Sequence, residues 1–209
     1  MARAVFFDVD GVLVHGYHAK PELQQRWDEN LLEDLGIRPE DFKTEFIYGT
    51  FINEVLPGKL SLVAALDDVL PRLGYKGSSL TLVDYWLRHD SNIDVAMFET
   101  VKKLARQPGV DLYMATNQDH LRAFYIWQEL GYGDLFKDMF YASRMGVSKP
   151  DAAFFDRVME RIGPQDTPPL FFDDSPKVIE AANAYGWEAV LYETHKDCIG
   201  HPFITERLS

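Results

Sequence analysis

Ala4-Val5-Phe6-Phe7-Asp8-Val9-Asp10-Gly11 decides how the rest of the chain reads. Four apolar residues, one β-branched and two aromatic, run without a polar break into two acids flanking a valine, and then a glycine. That composition predicts a strand buried on both faces, as in a parallel sheet, with the acids at its carboxyl end. A second apolar run, Leu170-Phe171-Phe172, ends in the same way on Asp173-Asp174-Ser175.

Outward from these two runs the pattern falls into two kinds. After Asp94, helices near 95–106, 121–130, 152–162 and 177–185 alternate with strands near 110–115, 140–142, 170–172 and 189–192. This alternation predicts an α/β fold: a Rossmann-like core with a mostly parallel sheet and helices on both faces. Between Lys20 and Asp90 no strand signal occurs. Apolar residues recur there at helical spacing: Leu31, Leu32 and Leu35, then Leu62, Ala65, Leu66, Val69 and Leu70, then Leu82, Tyr85 and Trp86. Gly36 and Gly74 read as helix ends, Pro39 as a helix start, and Ser61 and Ser79 as N-caps. The expected organisation is a core of residues 1–15 and 92–209, interrupted by an all-helical insert, 16–91. Trp27, Trp86, Trp127, Trp187, Phe42, Phe46, Phe51 and Phe98 lie in the apolar-periodic stretches and are expected to pack in cores.

The 209 residues carry 46% hydrophobic and 26% charged residues, ordinary for a globular enzyme, which disfavours disorder, collagen and coiled coil. With 21 Lys and Arg against 33 Asp and Glu, the net charge of −12 argues against a phosphate-backbone binder, so no nucleic-acid partner is expected. A single cysteine, Cys198, excludes an intramolecular disulfide and predicts a reduced thiol. The start, Met1-Ala2-Arg3-Ala4-Val5-Phe6-Phe7-Asp8, meets an acid too early for a signal peptide, and no apolar run approaches 18 residues. A cytoplasmic protein with no membrane partner, monomeric or homodimeric, is expected.

Ligands of open parallel sheets bind beyond the carboxyl ends of the strands. Asp8, Asp10, Asp173 and Asp174 all fall at such ends, where four like charges need a cation between them. Oxygen ligands with no His or Cys favour Mg²⁺. Singly, each acid is a common turn or helix-cap residue; two acidic pairs, each closing a buried strand, weaken that reading. Thr116-Asn117 follows the strand near 110–115, and Lys149-Pro150 precedes a helix. Alone, the first reads as a helix cap and the second as a solvated lysine.

Together, Asp8-Val9-Asp10-Gly11-Val12-Leu13, Thr116-Asn117, Lys149-Pro150 and Asp173-Asp174-Ser175 resemble, in order and spacing, the motifs of the haloacid dehalogenase (HAD) superfamily. The stretches from Gly146 to Phe155 and from Asp173 to Ala182 are typical of its subfamily I, and the helical block resembles that group's small cap. The resemblance implies a Mg²⁺-dependent phosphatase that hydrolyses a small phosphorylated metabolite, sugar phosphates such as glucose 1-phosphate included, through an aspartyl-phosphate. It makes Asp8 the nucleophile and Asp10 the acid and then the base. Thr116 would donate to a phosphoryl oxygen, with Asn117 orienting groups beside it, and Lys149 would offset charge between Asp8 and the transferring group. Asp174 would ligate Mg²⁺ with Asp8 and the main-chain carbonyl of Asp10, while Asp173 would hold a water of the metal's shell.

Asp10 separates branches of the superfamily. Dehalogenases lack an acid there because a halide leaves without a proton, so Asp10 points to phosphoryl transfer. The alternatives are a phosphomutase of the same superfamily, with His18 as its nearest acid/base candidate, and a noncatalytic HAD-like binding or regulatory protein, which would be expected to have lost one of these residues. Two departures stand out. Where many subgroup members carry an acid after the first motif, this chain has His15-Gly16-Tyr17-His18, its histidines reading as solvated loop residues. Val178 stands where a later acid occurs in one spacing variant, with Asp173 able to replace its charge.

Overall fold

The computed structural model describes residues 2–209; Met1, part of the expected core range, lies outside the described residues. Five parallel strands form one sheet: β1 (Arg3–Phe7), β4 (Val110–Thr116), β5 (Asp138–Tyr141), β6 (Leu170–Asp173) and β7 (Glu188–Leu191), in the order β5-β4-β1-β6-β7. The chain therefore leaves central β1, adds β4 and β5 on one side, and returns to add β6 and β7 on the other. The register places Phe7 beside Met114 of β4 and Phe172 of β6, so the three strands at the switch point end nearly level. A crevice at those carboxyl ends follows from this topology.

The alternation of side chains along β1 separates two cores. Val5 and Phe7 face one layer, with Leu112, Met114, Leu170 and Phe172 against Met97, Val101 and Leu104 of α5 (Val95–Leu104) and Ile126 of α6 (His120–Gln128). Ala4 and Phe6 face the other, with Phe140, Phe171 and Trp187 against Phe154, Phe155 and Val158 of α8 (Ala152–Ile162) and Ala182 of α9 (Pro176–Tyr185). Within the second layer Phe6 stacks on Tyr113 at 5.1 Å and on Trp187 at 4.5 Å between ring centroids.

Residues 31–89 hold α1 (Leu31–Leu35), α2 (Pro39–Phe42), a π-helix (Lys43–Val55), α3 (Leu62–Val69) and α4 (Ser79–His89) around a third apolar cluster. Pro39 starts α2 and Gly36 closes α1 at φ 70°, as expected. The α winding expected from Phe42 onward is instead π: Phe42, Phe46, Phe51 and Val55, spaced four, five and four apart, join one cluster, with Phe42 and Phe51 against Trp86. Ser61 caps α3 by accepting from the Ala64 N–H at 3.2 Å. The cap of α4 is Ser78, not Ser79: Ser78 holds the extended backbone a cap requires, and Ser79 is the buried first helical residue. Gly74, at φ 78°, closes a turn beyond α3 and does not end the helix itself.

Several elements lie outside the sequence reading. The chain enters and leaves the helical block through an antiparallel pair, β2 (Val14–His15) with β3 (Asn92–Ile93), too short to carry a period. Two terminal helices, α10 (His195–Ile199) and α11 (Pro202–Leu208), cover the first core with Cys198 and Ile204. Burial pushes the Cys198 thiol up to about 12, so it packs as a small apolar side chain. Among the described residues no helix is long and apolar enough to cross a membrane.

The Phe6 contacts make a direct test of the second core. Phe6→Ala should lower unfolding free energy by about 3–5 kcal/mol, from lost transfer energy plus a cavity the surrounding rings do not refill. Denaturant titration checks it; a loss below about 1 kcal/mol would mean the rings repack.

Candidate active site

The site is built on the end of β1. Asp8 continues the ladder, its N–H donating to the Phe172 carbonyl at 2.9 Å, and its Oδ1 accepts from the Val9 N–H at 2.7 Å. The chain then coils back, Leu13 and Val14 donating to the Val9 carbonyl at 2.8 and 2.9 Å. Gly11 holds φ 74°, and a Cβ there would lie 2.5 Å from Asp174 Oδ2. Only glycine meets both the backbone angle and the approach of the second acidic pair.

Lys149 enters from the loop before α8 and is almost wholly buried, 5% exposed. Its Nζ lies 2.6 Å from Asp173 Oδ2 and 3.1 Å from Asp8 Oδ2, and 5.2 Å above the Phe171 ring. Asn117 fixes the lysine's main chain from both sides: Nδ2 donates to the Lys149 carbonyl at 3.0 Å, and Oδ1 accepts the Lys149 N–H at 2.9 Å. Burial opposes the ammonium charge, but Asp173 and Asp8 outweigh it and raise the Lys149 pKa.

Asp173 ends β6 and Asp174 follows it. Asp173 Oδ1 accepts the Ser175 N–H at 2.8 Å at the start of α9. Asp174 Oδ2 accepts the Ala19 N–H at 2.6 Å and lies 3.2 Å from His18 Nδ1, which itself accepts the Lys20 N–H at 2.9 Å. His18 is thus buried and structural, contrary to the expected solvated loop residue; His15, 48% exposed at its side chain, stays at the surface 3.6 Å from Asp94. Oxygens of Asp8, Asp173 and Asp174 lie within 4.8 Å of one another. Burial, reinforced by Asp173 and Asp10 and opposed by Lys149, pushes Asp8 up to about 7. Burial and then Asp8 push Asp174 up to about 6. Crowded carboxylates that resist ionisation, with no soft ligand among them, are the donor set a hard divalent cation suits.

Asp10 faces the opposite wall. Arg122 grips it as a fork, Nη1 to Oδ2 at 2.8 Å and Nη2 to Oδ1 at 2.7 Å, and Gln118 Nε2 donates to Oδ2 at 2.6 Å. The buried Arg122 is itself held by Gln118 Oε1 at 2.9 Å and by the Asp90 carbonyl at 2.5 Å, with Asp90 Oδ2 3.5 Å away. Burial opposes the guanidinium charge, yet Asp10 and Asp90 more than offset it and raise its pKa. Burial likewise pushes Asp90 up to about 6, against the pull of Arg122. Thr116, the last residue of β4, is 1% exposed, and its Oγ1 accepts from Gln118 at 3.3 Å.

The structure therefore brings Asp8, Asp10, Thr116, Asn117, Lys149, Asp173 and Asp174 to one crevice, with the Asn117 amide on Lys149. The sequence reading did not include Gln118, Arg122, Asp90 and the Ala19 N–H. A signal for Arg122 existed: it falls on the buried stripe of α6 with Asp119, Ala123 and Ile126, where a cation needs partners. The helical block closes one side of the crevice. Ser143 Oγ donates to the Val55 and Leu56 carbonyls at 2.9 and 3.0 Å, and the Ser143 N–H donates to the Gln118 carbonyl at 3.1 Å.

Known proteins resemble this chain in sequence and in fold. The chain is 33% identical over 190 residues to a sesquiterpene phosphatase from Aspergillus oryzae, spanning 88% of this chain and 86% of that protein. It is 26% identical over 192 residues to a phosphoglycolate phosphatase from Pseudomonas putida, spanning 91% of this chain and 69% of that one. In fold it matches a HAD family enzyme from Bacteroides thetaiotaomicron with a TM-score of 0.78 at 18% identity, covering 95% of this chain and 97% of the other; a second structure of that enzyme, in complex with magnesium and inorganic phosphate, matches with a TM-score of 0.74. Residues 2–186 match the haloacid dehalogenase-like hydrolase family. A parallel sheet with paired acids at its switch point, a buried lysine between them and a match over nearly the whole chain place this protein in the haloacid dehalogenase-like hydrolase family.

Proposed function

We propose that the protein is a Mg²⁺-dependent phosphatase that hydrolyses a small phosphorylated metabolite through an aspartyl-phosphate on Asp8. The observation that carries this reading is Lys149 Nζ, 3.1 Å from Asp8 Oδ2 and 2.6 Å from Asp173 Oδ2, beside three carboxylates whose oxygens lie within 4.8 Å of one another. Asp8, Asp174 and the carbonyl of Asp10 would hold the cation, with Asp173 behind them. When bound, Mg²⁺ would offset the negative charge of carboxylate and phosphate and favour the ionised form of Asp8.

The chain's own residues supply the rest. Asp8 attacks phosphorus as the ester bond to the leaving oxygen breaks, and Asp10 gives that oxygen a proton. Asp10 then takes a proton from water as the water oxygen attacks the aspartyl-phosphate, releasing phosphate and Asp8. Lys149 offsets charge beside the transferring group, and Asn117 keeps it there. Thr116, whose oxygen accepts from Gln118, has its O–H to donate to a phosphoryl oxygen. His18, the nearest acid/base candidate for a mutase, is buried in the linker beside Asp174 with Nδ1 accepting the Lys20 N–H. The protein's single buried thiol supports a cytoplasmic setting.

In this reading residues 16–91 act as a cap on the core of 1–15 and 92–209. The two relatives are named as phosphatases of phosphoglycolate and of a sesquiterpene, which differ in the leaving group. Specificity then rests with the cap and its entry, where the largely exposed Tyr17 lies near enough to Asp174, Asp10 and Asp8 for their charges, after burial, to raise its phenol pKa. Sugar phosphates belong with these in the panel to be screened.

A panel of phosphorylated metabolites, assayed with Mg²⁺ and with EDTA, tests the whole reading. Asp8→Asn should lower turnover at least about 10³-fold on every substrate hydrolysed, and near-normal turnover would refute the nucleophile. Metal binding has its own readout. Asp8 and Asp174 titrate above their usual 3.8, to about 7 and about 6, so the folded state binds protons that the unfolded state has released. Metal-free stability then falls as pH rises from about 4 to about 7, and Mg²⁺ should restore it above that range. The gain in Tm on adding Mg²⁺ should be larger near pH 8 than near pH 5; an equal gain, or none, would refute the carboxylate site. Replacing 16–91 by the block of a relative should reorder substrates by about 10- to 200-fold in kcat/KM. A folded chimera that keeps the original ranking would place specificity in the core.

A further inference from the structure

We infer that Arg122 is a positioning residue that fixes the Asp10 carboxylate for proton transfer, braced by Asp90 where the helical block rejoins the core. The inference rests on the phosphatase reading above and adds to it a residue outside the four motifs. Three donors meet the two oxygens of Asp10: Arg122 Nη1 and Gln118 Nε2 on Oδ2, at 2.8 and 2.6 Å, and Arg122 Nη2 on Oδ1, at 2.7 Å. A carboxylate offers about four lone-pair positions. Oδ2 is filled, so the transferable proton is confined to what remains on Oδ1. The planar fork also fixes the carboxylate plane, which a single-point ammonium does not.

Arg122 is in turn held from three directions. Gln118 Oε1 accepts from Nη1 at 2.9 Å, and Asp90 accepts from Nη2 through its carbonyl at 2.5 Å with its carboxylate 3.5 Å away. Asp90 is held by the Trp86 indole, whose Nε1 donates to Oδ2 at 3.0 Å, and it lies close to Gly16, where a Cβ would stand 2.5 Å from Asp90 Oδ1. The clamp thus gathers the end of α4, the entry linker, the start of α6 and the acid itself around one guanidinium.

A purely structural arginine would, on removal, slow every substrate alike. A residue that acts through Asp10 slows substrates according to how much the leaving oxygen needs a proton. The test measures the first chemical step in single turnover with Mg²⁺ on two esters: p-nitrophenyl phosphate, whose phenolate leaves unprotonated, and a simple alkyl phosphate, whose alkoxide does not. Arg122→Met should slow the alkyl ester by about 10²- to 10⁴-fold, the range of general acid catalysis, and the nitrophenyl ester by less than about tenfold. Arg122→Lys, which keeps the buried cation and loses the fork, serves if the methionine variant does not fold, and should show the same selectivity on a smaller scale. Combined with Asp10→Asn, Arg122→Met should cost nothing more on the alkyl ester. Equal losses on both esters, a lysine variant with wild-type selectivity, or additive losses in the double variant would overturn the inference while leaving the phosphatase reading intact. A wild-type protein that hydrolyses neither these esters nor any member of the metabolite panel would overturn both.

Discussion

Four carboxylates, Asp8, Asp10, Asp173 and Asp174, meet where β1 and β6 end, and their mutual repulsion is the constraint around which the rest of the site is arranged. Asp173 is wholly buried and Asp174 nearly so, so water does little to separate their charges. Two buried cations answer from opposite sides. Lys149 takes Asp8 and Asp173, and Arg122 takes Asp10. Asp174 accepts the Ala19 N–H instead, lies 3.2 Å from His18 Nδ1, and stands in the trio suited to a divalent cation. Neither Lys149 nor Arg122 would be tolerated in so dry a place without these partners, and none of the acids would be tolerated there without a cation.

That arrangement also dictates how the chain is threaded. The backbone has to pass between the two acidic pairs, which is possible at Gly11 alone, because any Cβ there meets Asp174. It then crosses the mouth of the crevice, giving its Ala19 N–H to Asp174 before entering the helical block, and returns through Asp90 beside Arg122. Both linkers of the block are therefore anchored to the charged groups themselves, and the β2–β3 pair holds them side by side. A further contact, from Ser143 to the Val55 and Leu56 carbonyls, sets the far end of the π-helix against α7 (Ala142–Met145) beside Gln118.

Much of this was legible along the chain. The strands that carry the site are short apolar runs ended by acids, and α8, bounded by Asp151 and Gly163, has the limits its periodicity predicts. The failures have separate physical causes. Ser79 gave up the cap of α4 to Ser78 because the two hydroxyls are equivalent until the backbone chooses which is extended. The π winding of residues 43–55 goes with the packing of Phe42 and Phe51 on Trp86, a contact made across the block. Helix α10 did carry a local sign, the Thr194–Asp197 capping box, within a stretch too short for periodicity to mark.

What the sequence by itself determined was the sheet, the helical insert and the identity of the groups at the strand ends, because burial period, chain breaks and motif spacing are properties of neighbouring residues. It also determined that the acids needed positive charge nearby. Tertiary structure alone decided which charge went where: Lys149 to Asp8 and Asp173, Asn117 to the main chain of Lys149, His18 into the linker, and Arg122 to Asp10 across 112 positions of chain. Such pairings depend on which helix faces which strand end and on how much water remains between them. Coulomb energy varies with distance and surrounding medium, and neither is written in the order of residues.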